Sequence, residues 1–235
     1  MAKLYLIPTT LSNTIDHNVL LDFQLKQIQH IKYFIVETAK IARMHLKQLN
    51  LVIPLQQLYL NELNKHSQDL NTLIQPLLDG FDVGLMSDCG LPAIADPGSK
   101  VVRWAHLNNI EVVPLIGPSS LLLALMASGV NGQSFAFNGY LPVDNIERKQ
   151  KILQLQTLIL KNQQSQIIIE TPFRNQYLFE ALVELLDNKI ILCVAINIMQ
   201  DNQKFVSQSV EQWKCLPQLP NMHKQEVVFV IGEPK

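Results

Sequence analysis

The stretch Ser87-Asp88-Cys89-Gly90-Leu91-Pro92-Ala93-Ile94-Ala95-Asp96-Pro97-Gly98 decides the fold class of this chain. It follows an apolar run at residues 83–87 that predicts a buried strand, and it precedes a predicted helix near residues 99–107. Ligands of open α/β sheets bind at the carboxyl ends of the strands, so this loop predicts a binding site. Its two glycines permit a close backbone approach or a positive φ, and its two prolines stiffen the loop.

The two aspartates of this loop allow two interpretations. The carboxylate of Asp88 could accept hydrogen bonds from the ribose or an amine of a ligand. Alternatively, Asp88 and Asp96 only cap turns, and Asp96-Pro97 starts the next helix, because turn capping is the commonest use of Asp in loops. The local sequence leaves both interpretations open.

Outward from this loop, the first half of the chain alternates short apolar runs with amphipathic segments, the pattern of βαβ units with a parallel sheet. Predicted strands lie at residues 4–8, 33–36, 51–53, 83–87 and 111–115, and predicted helices at 17–31, 38–48, 67–78 and 99–107. The whole pattern predicts an α/β fold with two α/β domains, since a second set of strands and helices comes after residue 116.

The second half begins at Gly117-Pro118-Ser119-Ser120, where Pro and Ser open a helix through Met126. Predicted strands follow at residues 135–137, 165–170, 190–196, 204–210 and 226–231, with helices at 147–161 and 175–186. The last strands lack long intervening helices, so this half predicts a mixed sheet. We place the domains at residues 1–116 and 117–235, joined by a short junction.

Composition and charge exclude several classes of protein. Of the 235 residues, 48% are hydrophobic and 17% charged, which is ordinary for a globular protein and argues against disorder. A net charge of -1 gives no long-range basic field, so any RNA interface must be a local patch. The three cysteines form no C-x-x-C pair, and neither a zinc site nor any other metal site is predicted. No apolar run spans a membrane and no signal peptide precedes the first strand, so we expect a cytoplasmic protein.

The central loop resembles the Ser-Asp-x-Gly-x-Pro-x-x-x-Asp-Pro-Gly signature of one branch of the tetrapyrrole-methylase superfamily, the enzymes that methylate a ribosomal RNA cytidine on its ribose 2′-hydroxyl. Further stretches resemble that branch in the same order: Leu4-Tyr5-Leu6-Ile7-Pro8-Thr9, Val112-Val113-Pro114-Leu115, Gly117-Pro118-Ser119, Gly139-Tyr140-Leu141-Pro142 and Glu170-Thr171-Pro172-Phe173-Arg174. The resemblance spans nearly the whole chain. It implies two α/β domains of the tetrapyrrole-methylase type, S-adenosylmethionine in the interdomain cleft, and a homodimer.

The resemblance also implies which residues bind the cofactor. Asp88, Cys89 and Gly90 would meet its ribose and amino-acid tail, with Ile94 packed beside them. Ser119 and Ser120 open a helix whose free N–H groups and dipole suit the carboxylate of the methionine part, although plain helix capping is an equal alternative. The residues that would enclose the adenine are Leu11, Glu170 or Thr171, and the backbone around Ala195, Asn197 and Ile198. For this last segment the alternative is a core strand.

Several departures from the branch fall near the expected substrate. The first loop, Pro8-Thr9-Thr10-Leu11-Ser12-Asn13, lacks the usual glycine, and Glu37-Thr38-Ala39-Lys40 stands where Glu-Asp-Thr-Arg is usual. A His- and Asn-bearing stretch is reduced to Asn64-Lys65-His66-Ser67, and Asn197 replaces a Glu. The cofactor segments therefore match better than the substrate segments.

Methyl transfer from a sulfonium is an in-line displacement that depends mainly on positioning, and a base helps when the acceptor is a hydroxyl. Glu37, at the end of a predicted strand, and His66 are the candidate bases; His66 is alternatively an exposed surface histidine. Arg174 could bind phosphate or pair with Glu170. Lys40, Arg43 and Lys65 are candidate RNA contacts.

The leading hypothesis is thus an S-adenosylmethionine-dependent methyltransferase acting on a ribose hydroxyl of ribosomal RNA. One alternative is a methylase of a tetrapyrrole or another small molecule, although the Gly-x-Gly-x-Gly-Asp first loop usual in those enzymes is absent. Another is a cofactor-binding protein without transfer activity. A nicotinamide dehydrogenase is disfavoured, because no G-x-G-x-x-G follows the first strand.

Overall fold

The computed structural model describes residues 2–12, 19–63 and 70–233. The chain divides into two compact units, Met1–Ser119 and Ser120–Lys235. The junction that the sequence predicts after residue 116 lies close to this boundary. Each unit has its own sheet and its own hydrophobic core.

The first unit is built on a five-stranded parallel sheet with the strand order β3-β2-β4-β1-β5. Its strands are β1 (Lys3–Leu6), β2 (Tyr33–Val36), β3 (Tyr59–Glu62), β4 (Val83–Met86) and β5 (Glu111–Pro114). Its helices are α1 (Asp22–Ile28), α2 (Ala39–Gln48), α3 (Leu70–Leu78) and α4 (Ser99–Leu107). Because the strands are parallel, the loops that follow them leave the sheet at one edge.

Apolar residues are buried on both faces of this sheet, as expected for parallel strands that are covered by helices. One cluster joins Ile7 and Phe34 to the buried faces of α1 and α2, and the other joins Leu4 and Ile35 to α3 and α4. Gly84 in β4 makes room for the first cluster, because a Cβ there would lie 2.7 Å from the Phe34 ring and 2.8 Å from Ile7.

Two predictions for the first unit need correction. Residues 51–53 are not a strand; the third strand is β3, and Val52 in the connection before it is 74% exposed. β3 lies at the sheet edge and pairs only with β2, so it needs fewer apolar residues than a central strand, and the ring of its Tyr59 stacks on Tyr33 at 5.2 Å. The helix expected at residues 17–31 is the shorter α1, with residues 13–18 outside the described part of the chain.

The second unit contains a five-stranded mixed sheet with the order β6-β7-β10-β8-β9. Its strands are β6 (Phe135–Phe137), β7 (Ser165–Ile169), β8 (Ile191–Ile196), β9 (Lys204–Ser209) and β10 (Val227–Gly232), and its helices are α5 (Ser120–Ser128), α6 (Asn145–Asn162), α7 (Asn175–Leu185) and α8 (Val210–Lys214). Only β6 and β7 pair in parallel; the other three pairings are antiparallel. The predicted mixed sheet is confirmed, whereas the short α8 was not predicted.

The core of the second unit packs α6, α7 and α8 on one face of its sheet. Trp213 is fully buried there, its ring edge-on to Phe179 at 5.0 Å, and its indole N–H donates to the carbonyl of Leu192 at 2.8 Å. Asp144 caps α6 by accepting hydrogen bonds from two backbone N–H groups of its first turn. Over residues 2–12, 19–63 and 70–233, no helix has the length and apolar character needed to cross a membrane.

Candidate active site

The candidate site of the first unit starts from the register of two neighbouring strands. Val36, the last residue of β2, lies opposite Met86, the last residue of β4. The segments that follow these strands therefore leave the sheet side by side. Glu37 and Thr38 come directly after β2, and the loop that contains Asp88 comes after β4.

Every polar group of Asp88 is hydrogen-bonded to the segment that follows β2. Its backbone N–H donates to Glu37 Oε2 at 3.2 Å, and its carboxylate accepts from the N–H and Oγ1 of Thr38 at 3.0 and 2.7 Å. Its carbonyl accepts from Nε2 of His45 at 3.3 Å, which requires the imidazole proton on Nε2. The Asp88 carboxylate thus joins two strand ends and does not cap its own turn.

Asp96 caps a turn, which is the other role that the sequence allowed. Its carboxylate accepts hydrogen bonds from the backbone N–H groups of Ala93, at 2.9 and 3.0 Å, and of Gly98, at 2.6 Å. Ala93 and Ala95 have φ of 67° and 65°, on either side of Ile94, which is 50% exposed. Non-glycine residues at positive φ are costly and persist only where the surroundings hold them, so Asp96 stabilises this turn. The turn-capping interpretation of Asp96 is confirmed.

The opposite side of the loop is fastened to the first loop of the chain. The N–H of Thr9 donates to the carbonyl of Gly90 at 2.9 Å. Gly90 has φ of 76°, and a Cβ there would lie 3.0 Å from Leu11 and 3.5 Å from the carbonyl oxygen of Pro118. Leu11, Gly90 and Pro118 therefore lie together, and Ser119 is the next residue along the chain.

Of the residues predicted in the first unit, the structure thus places Leu11, Glu37, Asp88 and Gly90 around one loop. Cys89 in the same loop is exposed, and its carbonyl accepts from Oγ of Ser87 at 3.3 Å.

Two carboxylates, Glu37 and Asp96, line a small hollow beside this loop. Its other lining residues are Val36, Leu63, Leu85, Met86, Pro97 and Gly98. Glu37 is exposed at the surface, but partial burial of its carboxylate raises its pKa. The negative charges of Asp88 and Asp96 raise this pKa further, and the hydrogen bond from the Asp88 N–H lowers it. Burial likewise raises the pKa of Asp96, although hydrogen bonds from Gly98 and Ala93 oppose the shift. A carboxylate with a raised pKa is a stronger proton acceptor than an ordinary surface glutamate.

In the second unit, Glu170 directly follows β7 and its side chain is 1% exposed. One carboxylate oxygen forms an ion pair with the guanidinium of Arg174, and the other accepts from the N–H of Thr171 at 2.7 Å. Of the two roles that the sequence left open for Arg174, the structure shows the pairing with Glu170. Thr171 itself is exposed.

Residues 195–198 cover the end of β8 and a turn. The part that lies in β8 is a core strand, which is the alternative to an adenine contact, and the turn begins at Asn197. Ala195 is fully buried in β8, and Ile198 is buried. Asn197 has φ of 48°; its N–H donates to the carbonyl of Glu226 at 2.8 Å and its Oδ1 accepts from the N–H of Glu226 at 3.0 Å. Its Nδ2 donates to Oε1 of Gln225 at 3.3 Å. The Asn197 side chain therefore holds the start of β10 against the end of β8.

Ser120 is the first residue of α5 and is half-buried.

Sequence reasoning missed two residues that hold the loop, Thr38 and His45. Thr38 stands at the N-cap of α2, a position where Thr is common. Its position in the sequence therefore indicates a helix cap and gives no sign of the contact with Asp88. A buried His45 on an otherwise apolar helix face was a detectable signal. His66 and Lys65 lie outside the described residues. In the part of the chain that the structure describes, no group of three His, Cys, Asp or Glu side chains could hold a metal ion.

A parallel α/β unit with a candidate ligand loop at the carboxyl edge of its sheet, followed by a unit with a mixed sheet, defines a two-unit α/β protein. The predicted fold class is confirmed by the crystal structure of the methyltransferase CobJ, which the chain matches with a TM-score of 0.63 at 14% identity. That match covers 99% of this chain and 95% of the other. No family model matches the sequence.

Curated relatives identify the family more narrowly. Ribosomal RNA small subunit methyltransferase I is 33% identical over 184 residues in Vibrio cholerae, 31% over 212 residues in Bacillus subtilis and 27% over 205 residues in Synechocystis. The Bacillus match covers 90% of this chain and 69% of that protein. The chain belongs to the ribosomal RNA small subunit methyltransferase I family. It spans 59% of the length of the Vibrio relative.

Proposed function

We propose that the protein is an S-adenosylmethionine-dependent methyltransferase whose acceptor is a ribose 2′-hydroxyl of ribosomal RNA. Family membership supports the reaction class, and one observation carries the site. Glu37, the candidate base, accepts a hydrogen bond from the backbone of Asp88 in the candidate cofactor loop. A proton acceptor and a methyl-donor loop are thereby held next to each other, as transfer to a hydroxyl requires.

The residues of the first unit fit the cofactor. The backbone of the Asp88 loop is fastened on both flanks, by Thr38 and by Thr9, while Cys89 and Ile94 remain exposed. Gly90 leaves open the place where a side chain would meet Leu11. We therefore propose Leu11, the three residues 88–90 and Ile94 as cofactor contacts. Ser119 and Ser120, and the adenine-side residues Glu170, Thr171, Ala195, Asn197 and Ile198, stay predictions that rest on the resemblance.

When bound, S-adenosylmethionine supplies an electrophilic methyl group. In our proposal Glu37 accepts the proton of the acceptor hydroxyl as the oxygen forms its bond to that methyl carbon. The carbon–sulfur bond breaks, and the sulfur keeps the electron pair as the neutral thioether of S-adenosylhomocysteine. The raised pKa of Glu37 suits it to this role, since general bases work best with a pKa near the working pH.

A basic stripe on α2 supports an RNA acceptor despite the net charge of -1. Lys40, Arg43 and Lys47 are exposed at positions i, i+3 and i+7, which lie on one face of a helix, and α2 contains no acidic residue. Among residues 2–12, 19–63 and 70–233, none of the three forms an ion pair with a carboxylate. Helix α2 starts directly after Thr38, the partner of Asp88. The stripe is thus a local cationic face that starts beside the candidate site.

The experiment is transfer of a radiolabelled methyl group to unmodified small ribosomal subunits, with total small metabolites as the competing acceptor pool. We expect incorporation into RNA that Glu37→Gln abolishes. The double variant Lys40→Ala/Arg43→Ala should bind RNA more weakly and with a shallower salt dependence, because fewer phosphate contacts release fewer counterions. Lys149→Ala/Lys151→Ala on α6 removes the same charge elsewhere and is the matched control.

Three outcomes contradict the proposal. Labelling of a small metabolite but not of RNA would establish the small-molecule alternative. Tight binding of S-adenosylhomocysteine with no transfer to either pool would indicate a binding protein without activity. Equal loss of RNA affinity in the α6 control would mean that the basic stripe on α2 is not the interface.

We further propose a cytoplasmic homodimer, as the resemblance implies. Support comes from exposed apolar side chains in the second unit, including Met126 on α5 and Phe135 on the edge strand β6. Burying such side chains is the main driving force for association.

A further inference from the structure

Thr38 makes an unusual contact for a residue at a helix start. Its side chain does not cap its own helix α2. Instead, Oγ1 donates to Oδ2 of Asp88 at 2.7 Å, and the backbone N–H of Thr38 donates to Oδ1 of the same carboxylate at 3.0 Å. The next N–H, that of Ala39, donates to Oε1 of Glu62 at 2.7 Å. Two carboxylates from neighbouring strand ends therefore satisfy the first N–H groups of α2, where negative charge is also favoured by the helix dipole.

Asp88 has no other anchor for its side chain in the described part of the molecule. The carbonyl of Asp88 accepts from Nε2 of His45, whose pKa is lowered by burial. The carbonyl of Gly90 accepts from Thr9. These are backbone contacts of the loop, whereas the orientation of the carboxylate is set by Thr38. Of the two bonds that Thr38 makes, only the one from its hydroxyl can be removed without changing the backbone.

We infer that Thr38 is a positioning residue for the methyl-donor site. By holding both carboxylate oxygens of Asp88, it fixes the orientation of the side chain that is proposed to meet the cofactor. Thr38 acts through Asp88 and does not itself contact the reacting atoms. This inference rests on the proposed function, because it assumes that the Asp88 loop binds S-adenosylmethionine.

A positioning role predicts a specific kinetic pattern. Thr38→Val keeps the β-branched shape and the extended backbone of the residue but removes the hydroxyl. The Asp88 carboxylate then samples orientations that do not bind, and the apparent affinity falls in proportion to the competent fraction. The KM for the methyl donor should therefore rise while kcat changes little, since the bound state is unaltered. Thr38→Ser restores the hydroxyl and should restore the affinity.

The experiment is calorimetric titration of the whole protein with S-adenosylhomocysteine, together with initial rates at varied methyl donor. We expect Thr38→Val to raise the Kd and the KM about tenfold, which corresponds to about 1.4 kcal/mol, with kcat within about twofold. Thr38→Ser should stay close to the unaltered protein. Thr157→Val is the matched control, because Thr157 is exposed on α6 and its hydroxyl bonds only to the Leu153 carbonyl of its own helix.

Circular dichroism and unliganded melting temperatures check that each variant folds. If Thr38→Val does not fold, the pair Thr38→Ser and Thr38→Ala gives the same comparison. An unchanged Kd in Thr38→Val, or equal weakening in Thr38→Ser, overturns the inference alone. A failure of the unaltered protein to bind S-adenosylhomocysteine overturns the proposed function itself, so the two failures are distinguishable.

Discussion

Glu37 accepts a hydrogen bond from the backbone N–H of Asp88, with 3.2 Å between Oε2 and the nitrogen. The two residues are 51 positions apart in the chain and meet because β2 and β4 are parallel neighbours in register. The carboxylate is thus held at the base of the loop proposed to bind the methyl donor.

Replacing Glu37 by Gln should lower kcat by about 10²-fold or more, because the amide cannot accept the proton of the acceptor hydroxyl. In the unaltered protein the rate should fall as the pH drops through the raised pKa of Glu37, since the protonated carboxyl is no longer a base. Rates measured between pH 5 and 9 test both points. Glu111→Gln, which removes a surface carboxylate paired with Lys3, should leave the profile unchanged.

The melting temperature of Glu37→Gln distinguishes loss of the catalytic base from loss of the fold. The raised pKa means that folding disfavours the ionised form of Glu37, so its charge costs stability above the folded-state pKa. That cost disappears as the pH falls below the ordinary carboxyl pKa. Glu37→Gln should therefore melt at the same or a higher temperature at pH 7. A markedly lower melting temperature would show that Glu37 is needed for the fold.

Gly90→Val should abolish the rise in melting temperature that saturating S-adenosylhomocysteine produces in the unaltered protein. The added side chain meets Leu11 at 3.0 Å and adopts φ of 76°, which valine tolerates poorly. Gly80→Val is the matched control: Gly80 has φ of 89°, but a Cβ there has no neighbour within 4 Å. Both variants carry the backbone strain, and only Gly90→Val should lose the ligand response. Loss of the response in both would attribute it to strain alone.

Arg174→Met should destabilise the second unit by about 3 kcal/mol, because it leaves the buried carboxylate of Glu170 without its partner. The double variant Glu170→Gln/Arg174→Met removes that unpaired charge and should recover most of the loss. Urea unfolding measures both. Lys3→Met breaks the exposed pair with Glu111 and should have little effect. Wild-type stability in Arg174→Met would mean that water or another group compensates the Glu170 charge.

Asn197→Ala should destabilise the protein by about 1–2 kcal/mol, since it loses the hydrogen bond to the Glu226 N–H and places Ala at φ of 48°. Asn109→Ala is the control, because Asn109 has φ of 57° and is exposed. Asn109→Ala should lose only the stability that comes from the tolerance of Asn for a positive φ. Equal unfolding midpoints for the two variants would show that the Asn197 side chain does not stabilise the contact between β8 and β10.

The proposed homodimer predicts a mass of about twice 26.7 kDa in light scattering at micromolar protein. Changing exposed Met126 and Phe135 to Ser should shift the mass towards the monomer, because it removes apolar area available for association. Lys149→Ser/Lys151→Ser on α6 is the control for surface change. A monomer mass for the unaltered protein would refute the assembly.

The sequence by itself determined the class of protein and the position of the candidate ligand loop. Apolar periodicity, the Gly117-Pro118 helix start and the order of the quoted motifs are properties of short stretches, so they predicted the βαβ pattern and the mixed second sheet. They failed at β3, where an edge strand carries too little apolar sequence to stand out and the apolar residues 51–53 imitate a strand.

Only the tertiary structure decided what the side chains of the candidate site and of the second unit contact. The sequence could not tell that Asp88 bonds to Thr38, that Arg174 pairs with Glu170 instead of remaining free for phosphate, or that Asn197 clamps Glu226. The Asp88 and Asn197 partners are set by which strands are neighbours and in which register. Strand order is a property of the whole sheet, and no short window of sequence contains it.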